Sequence, residues 1–405
     1  MIKKLTLPNG VRIVHESMPT VRSVSAGIWV KAGSRNEAAG EEGIAHFIEH
    51  MLFKGTARRS ARDIAVAFDR TGGDVNAFTS MEETCYFMKV LDEHASDSLE
   101  VLADMFFHSL FDAEEMEKEK SVITEEIAMV EDDPEDDVHE QLMAAMYPEH
   151  PMGRPILGTK ESVRSFTEEQ ARNFMSRHYR PENTVISLAG KIDDSLIAKA
   201  AELFGGWKPS GLRSPALAPP AFQAGNIRKK REAEQAHLCI GFPGLDVNDP
   251  DIYALIVLNG LLGGSMSSRL FQSLREEKGL AYSIYSYHSS YSDSGSVTIY
   301  GGTSPDRLGE MQEAIDAEIR NLLKSGATSA ELEDAAGQMR GSMLLGLENP
   351  GARMSRNGKN ELFTGEHKTP EEVMESFAQV EKEQVDRLAR DLLSGPRATA
   401  IILPS

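Results

Sequence analysis

The sequence predicts an α+β protein built from two homologous domains, each an antiparallel-rich sheet covered by helices. Three observations predict it. Short runs that alternate apolar and polar residues are interleaved with segments whose apolar residues recur at helical spacing. These strands and helices fall into segregated groups, the arrangement of α+β layers. The pattern also repeats: the capping box Thr328-Ser329-Ala330-Glu331 reproduces Asp112-Ala113-Glu114-Glu115, Leu332 takes the place of Met116, and Leu261-Leu262 resembles Met51-Leu52. Between the copies Pro209, Gly211, Pro215, Pro219 and Pro220 punctuate a stretch without periodicity, the composition of a linker. A first domain at 1–208, a linker at 209–226 and a second domain at 227–405 are therefore expected. The 405 residues suffice for two cores.

In chain order, residues 11–16 and 23–31 read as strands. Next, Ile44, Phe47, Ile48, Met51 and Leu52 recur at helical spacing and predict a helix over 42–53, with Gly55 just past its end as a C-terminal stop. On that helix His46 and His50 lie one turn apart and project from one face. Two neutral imidazoles so placed can share a divalent ion, and zinc is the usual occupant. Glu49 leans toward the same point without being needed as a ligand, so it can serve as a base toward a water there. The order H-x-x-E-H is that of the inverzincins. The alternative is a helix that carries two histidines as core or surface groups, and a third ligand downstream decides between the two.

A helix at 61–70 follows, then strands at 74–79 and 84–91 and helices at 96–109, 113–130 and 137–146. The helix at 113–130 opens on the Asp112 capping box and places Glu119 and Glu126 two turns apart on one face, beside Met116, Val122, Ile123 and Ile127. Alone, such a run reads as a solvated acidic face; beside a histidine pair it offers the missing ligand. The capping box Thr167-Glu168-Glu169-Gln170 opens a helix to about residue 178, with a buried strand at 185–189 and a short helix at 194–204 after it. In the second copy Ala335 and Ser342 stand where Glu119 and Glu126 stood, and Ile256, Asn259 and Gly260 replace His46, Glu49 and His50. The scaffold is repeated without the ligands.

Together these residues resemble the pitrilysin-type zinc metallopeptidases, in which H-x-x-E-H is followed roughly 75 residues later by a glutamate ligand. Glu126 stands at that distance from His50. Gly72-Gly73-Asp74-Val75-Asn76-Ala77-Phe78-Thr79-Ser80, then Glu82, Thr84 and Tyr86, and Arg154-Pro155-Ile156-Leu157-Gly158-Thr159 are further matches. The likeness runs along essentially the whole chain and is greatest to bacterial half-length members that resemble the β subunit of mitochondrial processing peptidase. It implies that His46, His50 and Glu126 hold one Zn2+ per chain, that Glu49 is the general base and that Glu119 orients the site. It implies an endopeptidase acting in a closed chamber, with an extended peptide added as a strand along Asn76, Ala77 and Phe78.

The resemblance also implies that Arg275 and Tyr282, in Arg275-Glu276-Glu277-Lys278-Gly279-Leu280-Ala281-Tyr282, grip the peptide or stabilise the oxyanion. A surface arginine and a core strand tyrosine are the alternative. A half-length member is expected to be a homodimer. The competing class is a non-catalytic partner or scaffold subunit; relatives of that kind typically lack the metal motif, which is intact here.

The remaining features bound the function. A net charge of −20 argues against nucleic acid, whose binders carry basic patches. No apolar core follows Lys3 and Lys4 as in a secretory signal, and no run approaches the roughly 20 apolar residues of a membrane span, so a cytoplasmic protein is expected. Cys85 and Cys239 sit in apolar strand-like contexts and read as small buried hydrophobes. The run from Gly260 to Phe271 is glycine-rich but lacks the G-K-[ST] ending of a phosphate loop, which leaves contact with a peptide or a plain helix turn. The acidic run Glu131-Asp132-Asp133-Pro134-Glu135-Asp136-Asp137, with Glu140, offers selection of basic residues near the cut, or a solvated run that caps the next helix.

Overall fold

Alternation sends neighbouring strand residues to opposite faces of a sheet, and in this chain both faces are apolar. The computed structural model describes residues 2–208, 211–212 and 217–405. In it Ile13, Ile28, Tyr86 and Ile186 join one core, while their neighbours Val14, Trp29, Cys85 and Val185 join another. The first sheet contains β1 (Ile2–Thr6), β2 (Arg12–Ser17), β3 (Ser23–Val30), β4 (Asp74–Thr79), β5 (Thr84–Leu91) and β6 (Thr184–Gly190), in the order β1-β2-β6-β3-β5-β4. The second contains β7 (Asn226–Arg231), β8 (Ala236–Pro243), β9 (Ser283–Ser290), β10 (Gly295–Thr303) and β11 (Ala398–Pro404), in the order β7-β11-β8-β10-β9. With β1 set aside the two orders coincide, and the parallel pairs β2–β6 and β7–β11 occupy the same place in each. The repeat seen in the residues is thus a repeat of topology.

The helices are α1 (Ile44–Met51), α2 (Ala61–Asp69), α3 (Ala95–His108), α4 (Ala113–Asp132), α5 (Pro134–Met146), α6 (Lys160–Ser165), α7 (Glu168–His178), α8 (Asp194–Gly205), α9 (Ile252–Leu262), α10 (Leu308–Ser325), α11 (Ser329–Gly346), α12 (Pro350–Phe363), α13 (Pro370–Ala378) and α14 (Lys382–Leu393). Helices α1 and α5 depart from expectation for local reasons. Helix α1 is confined to eight residues, since its flanks at 42–43 and 52–53 are turns. Helix α5 starts at Pro134 rather than 137, with Asp133 accepting from the Glu135 N–H at 2.8 Å. Proline at the first helical position has its φ already set, so the acidic run becomes a helix start.

The chain forms two compact units that no single cut separates. One comprises Met1–Ala128, Pro155–Leu217 and Leu345–His367; the other comprises Met129–Arg154, Ala218–Leu344 and Lys368–Ser405. Helix α12, from the second repeat, therefore belongs to the first unit, and α5, from the first repeat, to the second. In the first unit Phe47, Leu102, Phe106, Phe174 and Phe204 fill one face of the sheet, and Met354 and Leu362 of α12 cover the other. There is no room there for a side chain at Gly358, where a Cβ would lie 2.4 Å from the Trp29 indole nitrogen. Ser187 Oγ donates to the Met354 carbonyl at 2.7 Å, and buried Glu16 accepts from Asn357 Nδ2 at 2.9 Å and pairs with Arg353. In the second unit α9, α10 and α14 build one core, and α5 lies on the opposite face with His139 against Tyr285, Tyr287 and Cys239.

Of the expected linker, Pro209 and Pro215 lie outside the described residues. Its later part is tied to α5, with the Gln223 N–H on the Met146 carbonyl at 2.9 Å. Both cysteines are free and buried, as their contexts suggested. Among the described residues no helix is long and apolar enough to cross a membrane.

Candidate metal centre

The centre lies wholly in the first unit and starts from how α1 is held. Gly43 precedes the helix with φ +91°, and a Cβ there would lie 2.4 Å from the Leu157 carbonyl oxygen, so only glycine fits. Ser162 Oγ donates to the Glu42 carbonyl at 2.6 Å. The matched stretch Arg154 to Thr159 thus runs into a brace for the entry to α1. The helix buries Ile44, Phe47, Ile48 and Met51 in the core, which turns His46 and His50 together on another face with ring centroids 4.5 Å apart.

Helix α4 supplies the acids. Met116, Glu119, Ile123 and Ile127 form its buried stripe, so Glu119 is drawn to 3% exposure instead of lying on a solvated face. Glu119 Oε2 meets His50 Nδ1 at 2.9 Å, and its Oε1 takes an ion pair from Lys54 Nζ at 2.5 Å. Burial opposes its ionisation, but the hydrogen bonds from His50 and Lys54 outweigh burial and hold its carboxyl below the usual carboxylate range. With Nδ1 so engaged, His50 presents Nε2.

Glu126 Oε2 lies 3.6 Å from His50 Nε2 and 3.8 Å from His46 Nε2, too far for hydrogen bonds. It is buried and has no hydrogen-bond partner among the described residues. His46, His50 and Glu126 are the group of described residues able to offer three ligand atoms, all within 4.8 Å of one another. A tetrahedral ion about 2.1 Å from each donor would space the donors roughly 3.4 Å apart, so this set fits zinc with small rotamer adjustments. Burial, and next the charge of His50, hold the His46 imidazole down at about 3, which leaves it in the neutral form that ligates.

Glu49 is buried beside this group. Its Oε2 accepts from Thr79 Oγ1 at 2.6 Å. Burial raises its carboxyl above the ordinary value; the Thr79 hydrogen bond and His50 oppose that, and Glu126 adds to it. A carboxylate that is hydrogen-bonded yet biased toward taking a proton suits a general base. Thr79 ends β4, and β4 is the terminal strand of the sheet, as strand addition requires. Asn76 is exposed and accepts from the Ala77 N–H at 2.8 Å, while Phe78 packs edge-on to Trp29 at 5.6 Å.

Arg275 and Tyr282 lie in the second unit. Arg275, in a π-helical turn at Phe271–Glu277, stacks over the rings of Phe271 and Tyr282 at 4.7 and 5.4 Å. Tyr282 is 78% exposed in a bend before β9, which is not the core strand position allowed as its alternative. Of the acidic run, Asp137 is buried against Arg231 and Lys229 at 2.7 and 3.4 Å. Sequence reasoning assigned no role to Lys54 and Thr79. Lys54 lies past the end of α1, where helical spacing carries no signal, and nothing local signals Thr79, whose contact depends on how β4 approaches α1.

Comparison with known proteins places these residues among relatives. Residues 12–160 match the family described as insulinase (peptidase family M16), and residues 165–339 match the peptidase M16 inactive domain. The uncharacterized zinc protease YmxG of Bacillus subtilis is 54% identical over 405 residues, covering 100% of this chain and 99% of its own. An uncharacterized zinc protease of Streptomyces coelicolor is 40% identical, covering 100% of this chain and 90% of its own. Among solved structures, a protease from Helicobacter pylori superposes with a TM-score of 0.93 at 23% identity, covering 100% of this chain and 99% of that one, which speaks to the fold.

Proposed function

We propose that this chain, which belongs to the insulinase family of peptidases (family M16), is a zinc-dependent endopeptidase acting on extended peptides or unstructured protein segments. The observation that carries the proposal is the convergence of His46 Nε2, His50 Nε2 and Glu126 Oε2 beside the carboxylate of Glu49. These three residues would hold one zinc ion. When bound, zinc polarises a water and the scissile carbonyl. Glu119 accepts from the His50 Nδ1–H, which fixes the tautomer that leaves Nε2 free to ligate. Glu49, held by Thr79, takes a proton from the attacking water and delivers it to the leaving amine. Asn76, Ala77 and Phe78 on the edge strand pair with the main chain of the peptide, so recognition tolerates varied side chains. Arg275 and Tyr282 grip the peptide or the oxyanion, a role in which Tyr282→Phe and Arg275→Ala both lower kcat/KM.

The test compares zinc content and cleavage of a quenched unstructured peptide for the parent and Glu49→Gln. The expected result is near-equal zinc in both and a kcat at least about a hundredfold lower in the variant. Full activity in the variant would remove Glu49 from its role, and a parent that neither binds zinc nor cleaves would return the chain to the scaffold class. The reading extends to a cytoplasmic homodimer, which a monomeric mass with full activity would contradict. A preference for basic residues near the cut would rest on Asp133 and Asp136, which are exposed, whereas Asp132 and Asp137 are already paired with Arg231. Equal cleavage of peptides with and without arginine would dismiss it.

A further inference from the structure

Two charged side chains in the loop before α1 are buried without belonging to the metal group. Arg35 is 4% exposed and Glu37 is 2% exposed. Glu37 Oε2 accepts from the Gly43 N–H at 2.8 Å and its Oε1 from the Ala45 N–H at 2.9 Å. These are amides of the first turn, which the helix itself cannot satisfy, and a carboxylate suits the positive end of a helix. His46 follows Ala45 directly.

The same loop grips the hairpin that ends the sheet. Arg35 Nη1 donates to buried Glu82 Oε1 at 2.6 Å, and the N–H groups of Ser34 and Arg35 reach the carbonyls of Ser80 and Met81 at 3.1 and 2.9 Å. Thr79, adjacent to Ser80, donates to Glu49 at 2.6 Å. The contacts therefore close on themselves, from the first turn of α1 through Glu37, Arg35 and Glu82 to the β4–β5 turn, and through Thr79 back to Glu49 on α1. A buried arginine–glutamate pair gains little stability, since desolvation offsets much of the attraction; its attested use is to fix register.

We propose that Arg35, Glu37, Glu82 and Thr79 are positioning residues that set the register of Glu49 against the edge strand β4. The purpose of that register rests on the peptidase reading; the mechanical linkage does not. In the linkage, loosening the hairpin at Glu82 is felt at the far end of the ring, at the amides held by Glu37.

Two measurements test it in the full chain. Amide hydrogen exchange at Gly43 and Ala45 is expected to speed by about tenfold in Glu82→Gln with zinc content unchanged, because Arg35 loses the charge of its partner on the hairpin. Unchanged exchange there would overturn the ring. For the peptide reaction, Thr79→Val is expected to lower kcat about tenfold with KM within about twofold, and Thr79→Ser to restore it. The double variant Thr79→Val/Glu82→Gln should fall no further than the worse single variant, as residues acting through one path do. Losses that multiply, or a loss that serine does not restore, would overturn the positioning role. A parent that fails to cleave would sink the peptidase reading, and the exchange measurement then decides the linkage by itself.

Discussion

At the scale of residues, the three donors are set by outer partners. Glu119 is not one of the three converging donors, yet it is hydrogen-bonded to His50 and is itself held in its ionised form by His50 and Lys54. Glu119→Gln is expected to weaken zinc affinity by about 10- to 100-fold while leaving the fold intact, measured by competition with a chelator. Equal affinity would assign Glu119 to stability alone. A second residue-scale effect is acid sensitivity. His178 is buried with its ring 4.4 Å from Phe174; burial first, then the charge of Arg177, push its imidazole down to about 4, against the pull of Glu41. In the unfolded chain it titrates near 6.5. Between those values the unfolded chain binds a proton that the folded chain refuses, so stability is full above about pH 6.5 and is lost as pH falls toward 4. Urea unfolding from pH 7 to 4.5 should show a shallower decline in His178→Gln than in the parent, and parallel declines would remove His178 as a cause.

At the scale of elements, helix α12 is decided by fit. Its weak apolar stripe does not say which surface it covers, yet Gly358 lies against the Trp29 indole and Trp29 Nε1 donates to Met354 Sδ at 3.4 Å. Gly358→Leu must displace one of these partners and is expected to destabilise by about 1–3 kcal/mol, read as a lower urea midpoint. An unchanged midpoint would mean that α12 is not seated as described. The helices that carry the histidines and glutamates were easier to read. Spacing alone placed His46 beside His50 and Glu119 in line with Glu126, because a turn of helix fixes which side chains share a face. It left open whether the acidic face met water or histidine, which depends on how α4 packs against α1.

At the scale of the whole molecule, each repeat lends a helix to the unit of the other. A chain cut at the linker would leave residues 1–208 without α12 and with Val14, Trp29, Cys85 and Val185 uncovered. That fragment is expected to bind a hydrophobic dye and to show weak near-ultraviolet dichroism alone, and to recover both native signals when produced together with 217–405. A fragment 1–208 that folds cooperatively alone would show that α12 is dispensable to its unit.

The sequence by itself determined the fold class, the internal repeat, the pair of histidines and the in-line glutamates, because each depends on periodicities of a few residues that backbone geometry imposes. It also marked the family through motifs spread along nearly the whole chain. Only the tertiary structure decided what distant segments do to one another: that Thr79 holds Glu49, that Glu37 closes the first turn of α1, that Asp137 is spent on Arg231, and that α5 and α12 change places. Those outcomes depend on which buried surfaces and unsatisfied polar groups find one another when strands and helices pack, and no local pattern encodes that choice.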